Sequence, residues 1–241
     1  MTGQAWLIGG LGALLVGTAK SGVPGLGILA IPLMAAAFPA RMSVGALLPL
    51  LIAGDVFAIL YHHRSAQGRV LRGLFPYVAA GMAAGALFLA RVSDAHLRPL
   101  LGGLVLLLIA LDLLRQRMGW RRLPHHPLFV GATGASAGFA TTIGNAAGPI
   151  MSVYFVSRGL AKAPFVGTQA WFFFLVNVAK VPVFAALGMI TRETLRFNLQ
   201  ALPLVALGAL LGVRILPHIP PRLFTAIVLT LAAAAALRLL V

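Results

Sequence analysis

The sequence predicts an all-α, polytopic helical membrane protein built from two inverted repeats with broken or re-entrant helices. Three observations carry this prediction. Of 241 residues, 60% are hydrophobic and only 10% are charged, with a mean hydropathy of +0.98, whereas a soluble domain has about 25% charged residues. Apolar runs of near-membrane length recur from end to end of the chain. Small-residue motifs also recur in the same order about half a chain apart.

Charge and composition exclude several classes. The only acids are Asp55, Asp94, Asp112 and Glu193, too few to cover a soluble surface of this size. A net charge of +15 raises nucleic-acid binding. The basic residues end apolar runs instead of forming a polar face, which is how membrane proteins use them. No nucleic-acid partner is therefore expected. There is no cysteine, so disulfides and thiolate metal sites are ruled out. His62, His63, His96, His125, His126 and His218 all lie at segment ends, so they read as interfacial residues, and no metal or cofactor is expected. The opening MTGQAWLIGG lacks a basic n-region and reads as the first membrane segment.

In order, the apolar runs fall at about 5–19, 25–38, 43–61, 71–90, 97–114, 127–140, 146–156, 166–187, 197–213 and 222–240. The first two, and the sixth and seventh, are shorter than the ~20 residues of a straight span. They flank Gly/Pro breaks at 20–27 and 141–149, which predicts half-helices or re-entrant hairpins. Eleven cations fall on one side of an alternating chain: Arg64, Arg69, Arg72, Arg115, Arg117, Arg121, Arg122, Arg158, Lys162, Arg214 and Arg222. Six fall on the other: Arg41, Arg91, Arg98, Arg192, Arg196 and Arg238. The positive-inside rule puts the first set in the cytoplasm and both termini outside.

The internal repeat comes from three matches. Pro76 and Pro203 each open a P-x4-G-x3-G motif, 127 residues apart, ending in Gly81/Gly85 and Gly208/Gly212. Such glycines let helices approach closely. Gly17-TAKSGVPG matches Gly138-FATTIGNAAGP at an offset of 121, and Val44-Gly45 matches Val166-Gly167 at 122. The chain divides into a first repeat at 1–116, a basic cytoplasmic linker at 117–126 and a second repeat at 127–241. Each half holds five runs, or three full crossings if its first pair is re-entrant. Either number is odd, so the second half is expected to be inverted, the architecture of secondary transporters.

Each break offers the same chemistry. A helix starting after Ser21-Gly22-Val23 would have Pro24 in its first turn, Ser21 as cap, and Gly22 and Gly25 baring the backbone. Its unpaired N–H groups and positive end form an anion site, to which Lys20 adds a full charge. In the second half, Thr141, Thr142 and Asn145 precede Ala146-Ala147-Gly148-Pro149, with Asn145 a favoured N-cap type. Two such ends facing each other would hold an oxyanion. Asp55 and Asn177, 122 residues apart, occupy matching positions inside apolar runs, with Lys180 one turn beyond Asn177. An intramembrane acid is costly and by default functional. Asp55 is expected to pair with Lys20 or Lys180, or to carry a coupling proton. Asp112, three residues before Arg115, reads as a surface pair. The Trp171-Phe172-Phe173-Phe174 run is expected to face lipid or neighbouring helices, with Trp171 or a Phe lining the substrate route as the lesser alternative. GASAG at 134–138 matches a nucleophile pattern, but no histidine at membrane depth could activate Ser136. Its glycines read as packing positions, and the protein as no enzyme.

Three stretches, AKSGVPGLGILAIPLMA, ALLPLLIAGDVFAILYHHR and GNAAGPIMSVYFVSRGLAKAPFVGTQAWFFFLVNVAKVP, resemble the TauE/SafE, or 4-toluene sulfonate uptake permease, family of membrane proteins. The resemblance covers nearly the whole chain. Here Pro24 and Leu26 interrupt a first break that is usually richer in glycine, and Asn145 stands where similar members often have histidine. The resemblance implies transport of sulfite, sulfoacetate or sulfonates across the bacterial cytoplasmic membrane, in either direction. The expected partners are a small anionic substrate and the lipid bilayer, with an oligomer neither required nor excluded. An anion channel, or an exchanger for carboxylates or other oxyanions, is the alternative. A structural membrane subunit is a third class, disfavoured because a scaffold gains nothing from two polar breaks.

Overall fold

The computed structural model describes residues 2–20, 26–62, 65–118, 126–214, 218 and 221–240. Among them are eleven helices and no strand. The first half contains α1 (Gly3–Lys20), α2 (Leu26–Ala37), α3 (Ala40–His62), α4 (Gly68–Arg72), α5 (Phe75–Arg91) and α6 (Asp94–Met118). The second contains α7 (Pro127–Gly144), α8 (Gly148–Ser157), α9 (Lys162–Ala186), α10 (Arg192–Arg214) and α11 (Pro221–Leu240). Each of the ten apolar runs has its helix. The five-residue α4 has no run of its own.

Helix boundaries follow local chemistry. Proline stands in the first turn of α5, α7 and α8, where its missing N–H costs nothing. His126 caps α7 by accepting a hydrogen bond from the Leu128 N–H at 3.3 Å. Thr191 accepts from the Thr194 N–H at 3.2 Å at the start of α10, whose first turn also carries Glu193. Pro32, Pro49, Pro99, Pro182 and Pro203 lie inside helices, which membrane helices tolerate better than soluble ones.

Among the described residues, four helices are long and apolar enough to cross a membrane: Ala40–Leu60, Asp94–Leu114, Ala163–Ala186 and Arg192–Arg214. Leucines such as Leu60, Leu107, Leu128 and Leu199 are about two-thirds exposed or more. In water such a surface would aggregate; in a bilayer it is the lipid contact. The protein is a multi-pass membrane protein.

Packing is organised by glycine. α1 lies along α10, and α5 lies along α7. A Cβ on Gly17 would overlap the Val205 carbonyl oxygen, and one on Gly208 would overlap that of Leu14. Across the other pair, Gly138 meets Val78 and Gly81 meets Ala135 in the same way. Val78 and Val205 are 127 apart, and Leu14 and Ala135 are 121 apart, the offsets of the sequence repeat. Gly131 and Gly134 pack on Tyr77, at 3.3 Å and 2.8 Å from an added Cβ, so the GASAG stretch is helix-packing surface. The halves differ in one respect. Pro203 lies inside a continuous α10, whereas Pro76, its counterpart, starts α5 after a break at Gly73-Leu74. α3 packs on α9, and α6 on α11.

Candidate functional site

Four helix ends meet around one cavity of about 110 Å3. Its lining includes Lys20 at the end of α1, Gly27 at the start of α2, Thr141 and Asn145 at the end of α7, and Gly148 at the start of α8. Lys20 and Thr141 are 121 residues apart, as are Gly27 and Gly148. The facing sides of α3 and α9 complete the lining with Leu47, Leu51 and Asp55, and with Gln169, Phe173 and Asn177. Both sets are spaced i, i+4, i+8, one face of each helix.

Asp55 is fully buried. One carboxylate oxygen accepts from the Lys20 ammonium at 2.5 Å, and the other from the Asn177 amide at 2.6 Å. Of the two partners expected for Asp55, the structure selects Lys20. The Lys20 ammonium also stands 4.5 Å from the centre of the Phe173 ring, a favourable cation–π placement. Phe173 is thus the member of the aromatic run that reaches the cavity, while Phe172 is wholly buried.

Lys180 is fully buried on α9. Its ammonium donates to the Asn145 carboxamide oxygen at 2.6 Å, and to the Thr141 carbonyl and hydroxyl oxygens at 3.0 Å each. Three acceptors match the three N–H groups of an ammonium. The charge also lies at a helix C-terminus, which favours cations. Lys20 occupies the equivalent end of α1. Both broken first helices therefore carry a lysine at their C-termini, one from the helix itself and one from a crossing helix.

Asn145 departs from expectation. It is the C-cap of α7, not an N-cap, with φ 56 and ψ 33. Asparagine is among the few residues that tolerate this left-handed conformation, and helices commonly end with it. Its amide donates to the Val44 carbonyl at 2.9 Å while its oxygen accepts from Lys180. The N-cap of α8 is Ala147, which makes no side-chain cap hydrogen bond. A Cβ on Gly148 would meet nothing within 4 Å, and Gly148 lines the cavity, so this helix start borders open space. Lys20 likewise ends α1 instead of starting α2.

The other expected residues divide. Ser21, Gly22 and Gly25 lie outside the described residues. Thr142 is buried, donates to the Gly138 carbonyl at 2.8 Å within its own helix, and lines a separate groove between α5, α7 and α9. Asp112 is not a surface residue; it is buried, and accepts from the Gln116 amide at 2.8 Å. Gln169 was missed, and of the aromatic run only the lesser expectation, a Phe on the substrate route, fits Phe173. The stripe at i+4 spacing through Asn177 contains both, and subtracting the 122-residue offset gives Leu47 and Leu51 of the opposite wall. No group of three or more His, Cys, Asp or Glu side chains suited to a metal ion occurs among the described residues.

The cavity thus brings together an ammonium paired with a carboxylate, a helix start and amide side chains in an otherwise apolar enclosure. A comparison with protein families matches the family described as Sulfite exporter TauE/SafE over residues 9–239. Searches of curated proteins and of solved structures return no match. With nearly its full length covered by the match, and a fold of apolar helices long enough to span a membrane, the chain belongs to the TauE/SafE sulfite exporter family of membrane transporters.

Proposed function

We propose that the protein is a secondary transporter carrying a small sulfur-containing anion, of the sulfite, sulfoacetate or sulfonate type, across the bacterial inner membrane. The observation that carries this reading is the Lys20–Asp55–Asn177 chain on the wall of a cavity where four helix ends converge. A carboxylate there holds the ammonium that an anion would need. Protonating Asp55 frees Lys20 for the incoming anion, and deprotonation restores the internal pair as the anion leaves. Substrate and proton movement are thereby linked at one side chain. Gly148 at the start of α8, with Thr141 and Asn145 opposite, supplies further donors and shape.

The halves act as two inverted repeats whose helices interleave around the cavity, α1 packing on α10 and α5 on α7. Support comes from the glycine contacts and the cavity lining, which obey the same sequence offsets, and from the direct bond between Asp55 and Asn177, 122 residues apart. Access alternates as one bundle of helices moves against the other.

The test is flux of labelled sulfite, sulfoacetate and a carboxylate analogue in proteoliposomes, with and without a proton gradient. Lys20→Ala and Asn145→Ala are expected to reduce flux about tenfold or more, because hydrogen bonds to charged groups contribute ~1.5–3 kcal/mol. Asp55→Asn is expected to abolish the response to the gradient. Normal transport by all three variants would show that the site lies elsewhere.

A further inference from the structure

We infer that Gln169 is a specificity-determining residue of the cavity, its carboxamide reading a polar group on the short arm of an organic sulfonate whose anionic head stands at Lys20. This rests on the reading of the cavity as the substrate site. Gln169 lies on α9, two turns before Asn177 and one before Phe173, and lines the cavity. It is partly buried and makes no hydrogen bond among the described residues. The other polar side chains of the lining, Lys20, Asp55, Thr141, Asn145 and Asn177, are all bonded to protein. Among the described residues, Gln169 is thus the lining side chain whose donors and acceptor are left for a ligand.

The two walls run in opposite directions, which gives the cavity a polar and an apolar end. Asp55 bonds Asn177, the Gln67 N–H at the start of α4 donates to the Thr168 hydroxyl at 2.9 Å, and a Cβ on Gly45 would overlap the Met189 carbonyl oxygen. As residue numbers rise along α3, they fall along α9. Leu47 and Gln169, matched by the 122-residue offset, therefore lie at opposite ends, Leu47 toward Met189 and Gln169 toward Gln67. The Lys20 ammonium stands between them, against Asp55 and 4.5 Å from the centre of the Phe173 ring. Gln169 comes one helical turn beyond Phe173, about 6 Å along α9. A sulfonate held at Lys20 with its arm in this direction passes Phe173 and ends at an amide. Turned the other way, the arm meets Leu51 and Leu47. A hydroxyl, carbonyl or carboxylate on a short arm is therefore bonded in one orientation only. Gln169 can answer each of them, since a carboxamide both donates and accepts. An arm ending in a methyl group strips water from that amide and returns nothing.

The experiment compares 2-hydroxyethanesulfonate with propane-1-sulfonate in proteoliposomes, at equal low concentrations and fixed pH. The two are near-isosteric monoanions, one ending in a hydroxyl and the other in a methyl, so protonation of Lys20 or Asp55 bears on both alike. The wild type is expected to take up the hydroxylated anion at least about threefold faster, the worth of one net hydrogen bond. Gln169→Met keeps the length of the side chain and removes its hydrogen-bonding groups; it should abolish or invert the ratio. Gln169→Leu, which installs the residue type of position 47, should do the same. Gel filtration checks that both variants fold, and if neither does, the wild-type ratio decides. Equal uptake of the two anions by the wild type overturns the inference and leaves the transport reading standing, as does an unchanged ratio in the variants. Transport of sulfite but of neither arm-bearing sulfonate has the same consequence. A wild type that moves none of the three sinks both readings.

Discussion

Asn145 joins three elements through one side chain. Its backbone ends α7, its amide donates to Val44 on α3, and its oxygen accepts from Lys180 on α9. Asn145→Ala removes both side-chain bonds and leaves Lys180 with two acceptors for three donors. A buried group left unsatisfied costs about 1–3 kcal/mol, so the variant is expected to unfold at a lower temperature in detergent, measured by tryptophan fluorescence. Because Asn145 and Lys180 are in contact, the double variant Asn145→Ala/Lys180→Met should cost less than the sum of the single ones. Additive losses would mean that the 2.6 Å bond contributes nothing to stability. Neither arrangement could be read along the chain. Asn145 was assigned to the helix after the break because its residue type suits N-caps; asparagine also suits the left-handed end of a helix, and the contacts of α3 and α9 select the latter.

Among elements, the α1–α10 and α5–α7 pairs depend on glycine. Without a hydrophobic driving force between helices in lipid, their association rests on close backbone approach. Gly208→Val and Gly81→Val place atoms where Leu14 and Ala135 carbonyl oxygens already stand. Each is expected to destabilise by about 3 kcal/mol or more, the upper range for overpacking, and to reduce yield of folded protein on gel filtration. Gly103→Ala in α6 is the control. A Cβ there meets nothing within 4 Å, and removing a helical glycine should leave stability unchanged or raise it by about 0.5–1 kcal/mol. The glycine motifs were legible because backbone contact admits no other residue. The break between α4 and α5 was not. Pro76 and Pro203 open the same motif, yet only one begins a new helix. A proline removes one backbone bond in either setting, and whether the helix parts there is left to its packing: α10 lies against both α1 and α3, while α5 lies mainly along α7.

For the whole molecule, the distribution of Arg and Lys makes a topological prediction. A phosphatase reporter fused after residue 118 should be inactive, being cytoplasmic, and one fused after Val241 should be active. The reverse pattern would invert the orientation. The exposed leucines on α3, α6, α7 and α10 set where lipid must lie, and they leave the cavity as the polar interior of an otherwise apolar body.

Composition, run length and the recurring glycine motifs determined by themselves that this is an all-helical membrane protein with two matched breaks. These are local or periodic properties, and a bilayer enforces them along the chain. The pairing of Asp55 with Asn177 was half-visible, because residues related by the repeat offset can meet where the halves face each other. Only the tertiary structure decided that Lys20 holds Asp55, that Lys180 reaches back from α9 to the end of α7, and that Gln169 and Phe173 share the cavity wall. Each depends on the angle and depth at which helices cross, and helix crossing is set by packing between residues more than a hundred positions apart, which no local pattern records.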